Sequence, residues 1–448
     1  MSLYPAELKA FASNLPAPLF AVGGFVRDTL LGKEAHDIDL CSALLPEQIR
    51  SAARAAGFSC PVVNERLGTV LLRTPGGDYE HTTFRTESYP SGGSHDPVAV
   101  SFTDSLERDA FRRDFSVNAL YQEILTGRIL DPTGGLADLD RKVLRTTTAD
   151  PLEILRDDGL RILRLVRFAV ETGFSVDSET WICAMGHVAL LNDIAWERKR
   201  GELDRILTGP DALRALFLLK ELGALFLLFP ELKDADGMPQ RRDYHRYDVL
   251  EHSFRTCAAM PCSVPLRLMG LLHDAGKPVC LNETGNFHRH AVYSDTIAAE
   301  ALRRLRYSSA DISRIRMAVR NHMFDLDGHA KTRTLRRRFV EFGRQGTEDL
   351  IALREADIRG SGYEPEYRAE KWRSVYDAML HDGCPWSVSD LQIDGEVLMQ
   401  LLRIPPSKEL SDLKKQLLLH CIDRPSDNTP ERLPCIARAL ATNIRKKC

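Results

Sequence analysis

"AVGGFVRDTLLGKEAHDIDLC" spans Ala21–Cys41, and its reading decides the fold of the N-terminal third. A β-rich run enters a glycine pair, a helical run leaves it, and a second β-rich run carries Asp37 and Asp39 one residue apart. Two glycines between a strand and a helix let backbone amides approach a phosphate, and the helix N-terminus favours negative charge. On their own, Gly23 and Gly24 read first as an ordinary turn. Arg27 falls on the first turn of the helix, where a guanidinium can also reach phosphate. On a strand, residues i and i+2 share a face, so Asp37 and Asp39 can hold one cation or two neighbouring ones. The Asp-x-Asp pattern itself is common in this chain, recurring at 138/140, 234/236 and 325/327. The surroundings set the first pair apart. A glycine turn precedes it, and Glu80, in "DYEHTTFR" on a later strand, offers a third carboxylate. Oxygen ligands beside a phosphate site suit Mg²⁺, and two-metal sites of this type activate a hydroxyl and stabilise a leaving phosphate.

Outward from that stretch, "PLFAVGG", "DIDLCSA", "TVLLRTP", "DYEHTTFRT" and "PVAVSF" read as strands, while "FVRDTLLG" and "LPEQIRSAARAAG" read as helices stopped by glycine. From about residue 150 the pattern turns to helical periodicity with short polar loops. The expected fold is an α/β head with a mixed sheet, followed by an all-α body. At 448 residues the chain exceeds one compact core. The divisions expected are a head at 1–148, a helical neck at 149–232, a third domain at 233–380 and a helical tail at 381–448. Net charge is −3, so any surface for nucleic acid must be local. Ten cysteines without Cys-x-x-Cys spacing read as reduced, mostly buried thiols of a cytoplasmic protein. No apolar run approaches the ~20 residues that span a membrane. "LRALFLLKELGALFLLFPEL" reads instead as a buried helical hairpin.

Two downstream motifs add positive charge. In "RRDFSVNAL" (112–120), Arg112 and Arg113 can neutralise a triphosphate, and Asn118 can hydrogen-bond sugar or phosphate. The competing reading is an arginine-rich helix surface paired with Asp109 and Asp114. In "LRDDGLRILRLVRFA" (155–169), Asp158, Arg161, Arg164 and Arg167 recur every three residues and form a polar stripe on a helix. An i,i+3 salt-bridge ladder is the alternative. An Asp beside an Arg also presents acceptors and donors to a base edge.

The succession Gly-Gly-x-Val-Arg-Asp, Leu-Leu-Gly, Asp-x-Asp and Arg-Arg-Asp-Phe-x-x-Asn-Ala resembles the class II tRNA nucleotidyltransferases, which comprise the CCA-adding enzymes and bacterial poly(A) polymerases. The resemblance implies a polymerase-β-like head with Asp37, Asp39 and Glu80 catalytic and Mg²⁺ on the two aspartates. Gly23, Gly24, Arg27, Arg112, Arg113 and Asn118 would bind nucleotide. Asp158 and Arg161 would read the Watson–Crick edge of CTP or ATP, and Arg164 and Arg167 would serve base or phosphate. Asp157 stands where the family has Glu. A loop at 85–97, ending Gly-Gly-Ser-His95, looks full length, as in relatives that add both C and A.

In the body, His252, then His273 and Asp274 in "LLHDAGKP" with Lys277, then Asp357, resemble the HD phosphohydrolase superfamily. Imidazole and carboxylate from separate helices can hold a divalent metal that activates water. The resemblance places His290 and His322 where related domains carry further metal or substrate ligands. The implied partners are tRNA, CTP and ATP, with no membrane; oligomeric state is not legible. The expected reaction is template-independent addition of CCA to the tRNA 3′ end with release of pyrophosphate. A poly(A) polymerase is the alternative on the same head, and an HD hydrolase with a nucleotide-sensing head is another.

Overall fold

The computed structural model describes residues 3–35, 37–89, 97–241, 243, 245–363 and 369–445. Most of the loop read at 85–97, with His95, lies outside them, as do the last three residues of the tail. The chain divides into two compact units, 1–230 and 231–448.

The first unit is built on a seven-stranded mixed sheet of order β3-β4-β5-β2-β1-β8-β9. Its strands are β1 (Phe20–Val22), β2 (Asp39–Ser42), β3 (Val62–Asn64), β4 (Thr69–Thr74), β5 (Gly77–Thr83), β8 (Tyr121–Glu123) and β9 (Ile129–Leu130). β2 and β5 run parallel, and the other neighbours run antiparallel. The expected strands form, with two differences. "DIDLCSA" begins its ladder only at Asp39, so Asp37 lies just before the strand. "DYEHTTFRT" breaks at Phe84, and its second half, β6 (Arg85–Ser88), pairs with β7 (Ala99–Phe102) as a separate hairpin. Phe20, Phe84 and Tyr121 stack with centroids 6.0–6.4 Å apart and form the core between the sheet and the helix Leu106–Phe111.

The neck is not one continuous helix over 155–169. One helix, Pro151–Asp157, ends at Asp158, whose backbone is extended, and the next, Arg161–Thr172, begins three residues later. Gly159 permits the break. A Cβ there would lie 2.6 Å from the Leu190 carbonyl oxygen, so only glycine lets the chain pass this close. The apolar stretch near 212–228 is the expected hairpin, Ala212–Glu221 and Ala224–Leu228 about Gly223.

The second unit is helical. Val249–Ala259, Val264–Leu272, His290–Arg304, Ser309–Asn321 and Thr332–Gly360 pack together, and Lys408–Asp423 and Leu433–Arg445 share a further apolar cluster. No helix among the described residues is long and apolar enough to cross a membrane.

Candidate functional site

The β1–β2 ladder sets the first site. Val22 pairs with Asp39, so the glycine turn leaving β1 sits directly beside the acid that opens β2. Gly23 has φ +80° and caps the helix Gly24–Leu30, a conformation that a side chain would strain. Parallel pairing of Leu40 with His81 brings Glu80 next to Asp39 on the exposed face, while Tyr79 and His81 face the core. Asp37, Asp39 and Glu80 thus line one cleft of roughly 630 Å³, with Arg27, Arg167 and Phe168 on its walls. Asp39 and Glu80 also line a second hollow, of about 220 Å³, walled by Arg85, Arg112 and Arg113. Partial burial and the neighbouring Glu80 raise the Asp39 carboxyl above its usual range; Asp37 adds to this and Arg113 opposes it. Carboxylates that repel one another suit a hard divalent cation, although Asp37, Asp39 and Glu80 do not bring one oxygen each within 4.8 Å of one another. Groups of three donors within 4.8 Å of one another occur, among the described residues, in the second unit.

The arginines are held in advance. Asp109, 1 % exposed, accepts from Arg112 (2.9 and 2.7 Å), from Arg113 (3.2 and 3.0 Å) and from the Tyr121 hydroxyl (2.7 Å). Burial alone would raise its pKa, but Arg113 and Arg112 hold the carboxyl far below the usual range. Arg112 also approaches the buried Glu87 (3.6 Å), which bonds Arg85 and the Tyr89 hydroxyl. Arg27 donates to Asn118 Oδ1 at 2.7 Å and to both oxygens of Asp28. The Asn118 amide donates to Asp114 (3.3 Å), and Asp114 accepts from Arg164 (2.9 and 2.5 Å). Of the two acids weighed against a functional reading of the arginine motif, Asp109 does pair with Arg112 and Arg113, whereas Asp114 pairs with Arg164.

The stripe expected from Asp158 to Arg167 is broken at its first member. Asp158 sits in the extended link between helices, where it caps Leu160 and pairs with Arg198 at 2.8 Å. Arg161 donates to the carbonyls of Ile154 (2.8 Å) and Arg112 (2.7 Å), with Asp157 at 3.9 Å. Arg167 bonds Glu202 at 2.7 Å. Phe168, absent from the expected site, has the guanidiniums of Arg167, Arg164 and Arg27 at 4.0, 5.2 and 5.3 Å from its ring centre. Its one sequence signal is an aromatic directly after the arginine repeat. Asp138, from the second Asp-x-Asp pair, is buried and bonds Ser116 and Arg145, as a structural acid.

The second unit gathers His252, His273, Asp274 and Asp357 from different helices and a helix end. His252 Nε2 lies 2.9 Å from Asp357 Oδ1 and 3.5 Å from Asp274 Oδ2, and His273 Nε2 lies 3.2 Å from Asp274 Oδ2. His290 approaches Asp274 Oδ1 at 3.0 Å, and Lys277 reaches Oδ2 at 2.6 Å. Burial opposes protonation of His273, yet Asp274 and Asp357 raise it to about 10. The two carboxylates therefore call for positive charge among these imidazoles. Such a donor set fits a divalent metal.

Three family models match the chain: Poly A polymerase head domain at 19–145, Probable RNA and SrmB- binding site of polymerase A at 173–236, and HD domain at 242–359. An A-adding tRNA nucleotidyltransferase of Deinococcus radiodurans is 33% identical over 371 residues, covering 78% of this chain and 79% of the relative. A CCA-adding enzyme of a Geobacillus species is 37% identical over 233 residues, covering 52% of this chain and 55% of the relative. The Deinococcus protein apart, the chain spans about half the length of such curated relatives. Among solved structures, the Bacillus stearothermophilus CCA-adding enzyme in complex with CTP superposes with TM-score 0.71 at 23% identity, covering 99% of this chain and 98% of that one. The Thermotoga maritima CCA-adding enzyme complexed with tRNA gives TM-score 0.56 at 19% identity, covering 97% and 94%.

Proposed function

The chain belongs to the tRNA nucleotidyltransferase family, and from that premise we propose that it adds CCA to the 3′ end of tRNA from CTP and ATP. The observation that carries this reading is the placement of Asp39 and Glu80 between two arginine-walled clefts. The 3′-hydroxyl oxygen of the tRNA attacks the α-phosphorus of the nucleotide; the α–β phosphoanhydride bond breaks and pyrophosphate leaves. Mg²⁺, held by Asp37 and Asp39 with Glu80 alongside, would supply charge for the attacking and leaving oxygens when bound. Gly23 and Gly24 let the chain approach phosphate, and Arg27, Arg112 and Arg113 offset its charge. Asn118 acts through Arg27, which it holds. Arg161 and Asp158, with Arg164 and Arg167, select the base. Because Asp158 lies in the extended link and Arg161, Arg164 and Arg167 on the helix after it, base reading draws on two segments rather than one helical stripe. The chain would work in the cytoplasm, where its nine described thiols stay free.

The working division is a catalytic head at 1–148, a base-reading and RNA-binding neck at 149–232, an HD domain at 233–380 and a tail at 381–448. In the HD domain, His252, His273, Asp274 and Asp357 would hold a divalent ion. When bound, that ion would supply the charge to activate water against a phosphoester such as a 2′,3′-cyclic phosphate.

The test offers purified protein a tRNA transcript lacking CCA, with CTP, ATP or both, and sequences the ends. Addition that stops at CCA supports the reading, and long A tails would favour poly(A) synthesis. A single A, added only to tRNA already ending in CC, would establish A addition alone, a second reading favoured by the Deinococcus relative's coverage. Asp37→Ala should abolish addition and leave any cyclic-phosphate hydrolysis intact.

A further inference from the structure

Three guanidiniums wall the smaller hollow beside Asp39 and Glu80, and among the described residues each keeps one nitrogen without a hydrogen bond. Arg112 donates through Nε and Nη2 to Asp109, and its Nη1 stands 3.6 Å from Glu87, beyond hydrogen-bond reach. Arg113 donates through Nε and Nη2 to Asp109 and through Nε to the Tyr121 hydroxyl, which leaves Nη1. Arg85 comes from β6, outside the arginine motif. Its Nε donates to Glu87 Oε1 at 2.5 Å and its Nη1 to the Leu67 carbonyl at 2.9 Å, which leaves Nη2.

The main chain at Arg85 is tied to the acid that holds the other two arginines: its N–H donates to Asp109 Oδ1 at 3.3 Å. The Arg85 side chain is only 13% exposed, and that of Glu87 4%. Burial and the neighbouring Arg112 lower the Arg85 pKa, while Glu87 and Asp109 oppose the shift. Positive charge here exceeds what the local acids neutralise, a condition that an arriving anion relieves.

We propose that Arg85 binds the terminal phosphates of the nucleotide, as the third arm of a cradle with Arg112 and Arg113. The assignment rests on the nucleotidyl-transfer reading above. In that reaction bonds form and break at the α-phosphorus, which must lie at Asp39 and Glu80. The β- and γ-phosphates then extend along the hollow that these acids share with the three arginines. A guanidinium presents its donors in a rigid fork, so Glu87 and the Leu67 carbonyl, by fixing two nitrogens of Arg85, also fix the third. After transfer the same three nitrogens hold the leaving pyrophosphate.

The experiment measures binding of CTP and CMP to the full chain by isothermal titration calorimetry, with Mg²⁺ and without tRNA, so that nothing turns over. CMP keeps the base, the sugar and the α-phosphate and lacks the phosphates assigned to Arg85. Arg85→Met should weaken CTP binding by about tenfold, the size of one hydrogen bond between charged groups, and leave CMP binding unchanged. Inorganic pyrophosphate should inhibit addition less strongly in that variant by a similar factor. Arg85→Lys, which keeps the charge and loses the fork, should show a smaller loss, again confined to CTP. A loss equal for CTP and CMP would make Arg85 only a tie between β6 and Leu67 and would overturn the assignment, as would unchanged binding of both. Should Arg85→Met not fold, as judged by circular dichroism, Arg85→Lys decides by the same comparison. A parent that adds no nucleotide to the transcript lacking CCA sinks the transfer reading and the assignment with it. Addition by the parent, with a loss common to both nucleotides in the variant, sinks the assignment alone.

Discussion

Asp109 touches three polar side chains of the head and reaches substrate only through them. It fixes Arg112, Arg113 and Tyr121 against one buried carboxylate. Removing one partner of a buried charge network costs about 3 kcal/mol or more. Asp109→Ala should therefore lower stability by about that much in urea unfolding and raise the KM for nucleotide more than it lowers kcat. Asp114 gives a pH signature. Burial alone would raise its pKa, but Arg164, followed by Arg161 and the Phe115 amide, brings it down to about 2. Its stabilisation is complete above the unfolded carboxyl's pKa of about 4 and is lost as pH falls toward 2. It amounts to about 2 kcal/mol by linkage. Denaturant midpoints between pH 5 and 2 should fall less steeply in Asp114→Asn than in the parent. At this scale the motif arginines were legible because they cluster in sequence, and Asp109 was too, at i,i+3 from Arg112. The grip of Asn118 on Arg27 spans 91 residues, and no local pattern announces it.

The break at Gly159 is what sequence periodicity misjudged among the elements. Apolar and charged residues continue in helical register through 155–169, yet the first helix ends at Asp158 and Gly159 passes close against the Leu190 carbonyl. That contact is non-local and carries no signal in the stretch itself. Gly159→Ala should force the two segments apart at a cost of about 1–3 kcal/mol, as overpacking does. Differential scanning calorimetry would show a lower melting temperature. Incorporation assays with CTP and ATP in competition would show weakened base choice, because Asp158 and Arg161 flank the break. If base choice were unchanged, these two residues would not be the readers. The start of β6, Arg85 and Thr86, was likewise read into the run of β5, since nothing local marks Phe84 as the point where the chain leaves the sheet and turns into the core.

The molecule as a whole carries net charge −3, a value that conceals how strongly arginine is concentrated around the carboxylates of the first unit. Association with tRNA should weaken steeply with salt, as counterion release requires, and the Kd for tRNA should climb between 50 and 200 mM salt, tracked by filter binding. The two units also answer differently to metal removal. If the proposed cation is bound by the buried imidazoles and carboxylates of the second unit, a chelator should lower that unit's melting and move the first unit's much less. Calorimetry with the Asp274→Asn chain as comparison checks this, since that chain should ignore the chelator. The two-part plan of mixed head and helical body was legible from the change in periodicity near residue 150. The pairing of β1 with β2 has one more consequence. Val22 and Asp39 are rungs of the same antiparallel ladder, and side chains alternate faces along it. A slip of one residue would turn Asp39 inward and bring a neighbouring apolar side chain out, with no intermediate setting. The proposed activity of the head should therefore be all or none. In a denaturant series, the surviving molecules should each keep full turnover, and the loss of activity should follow the count of folded heads with no graded decline before it.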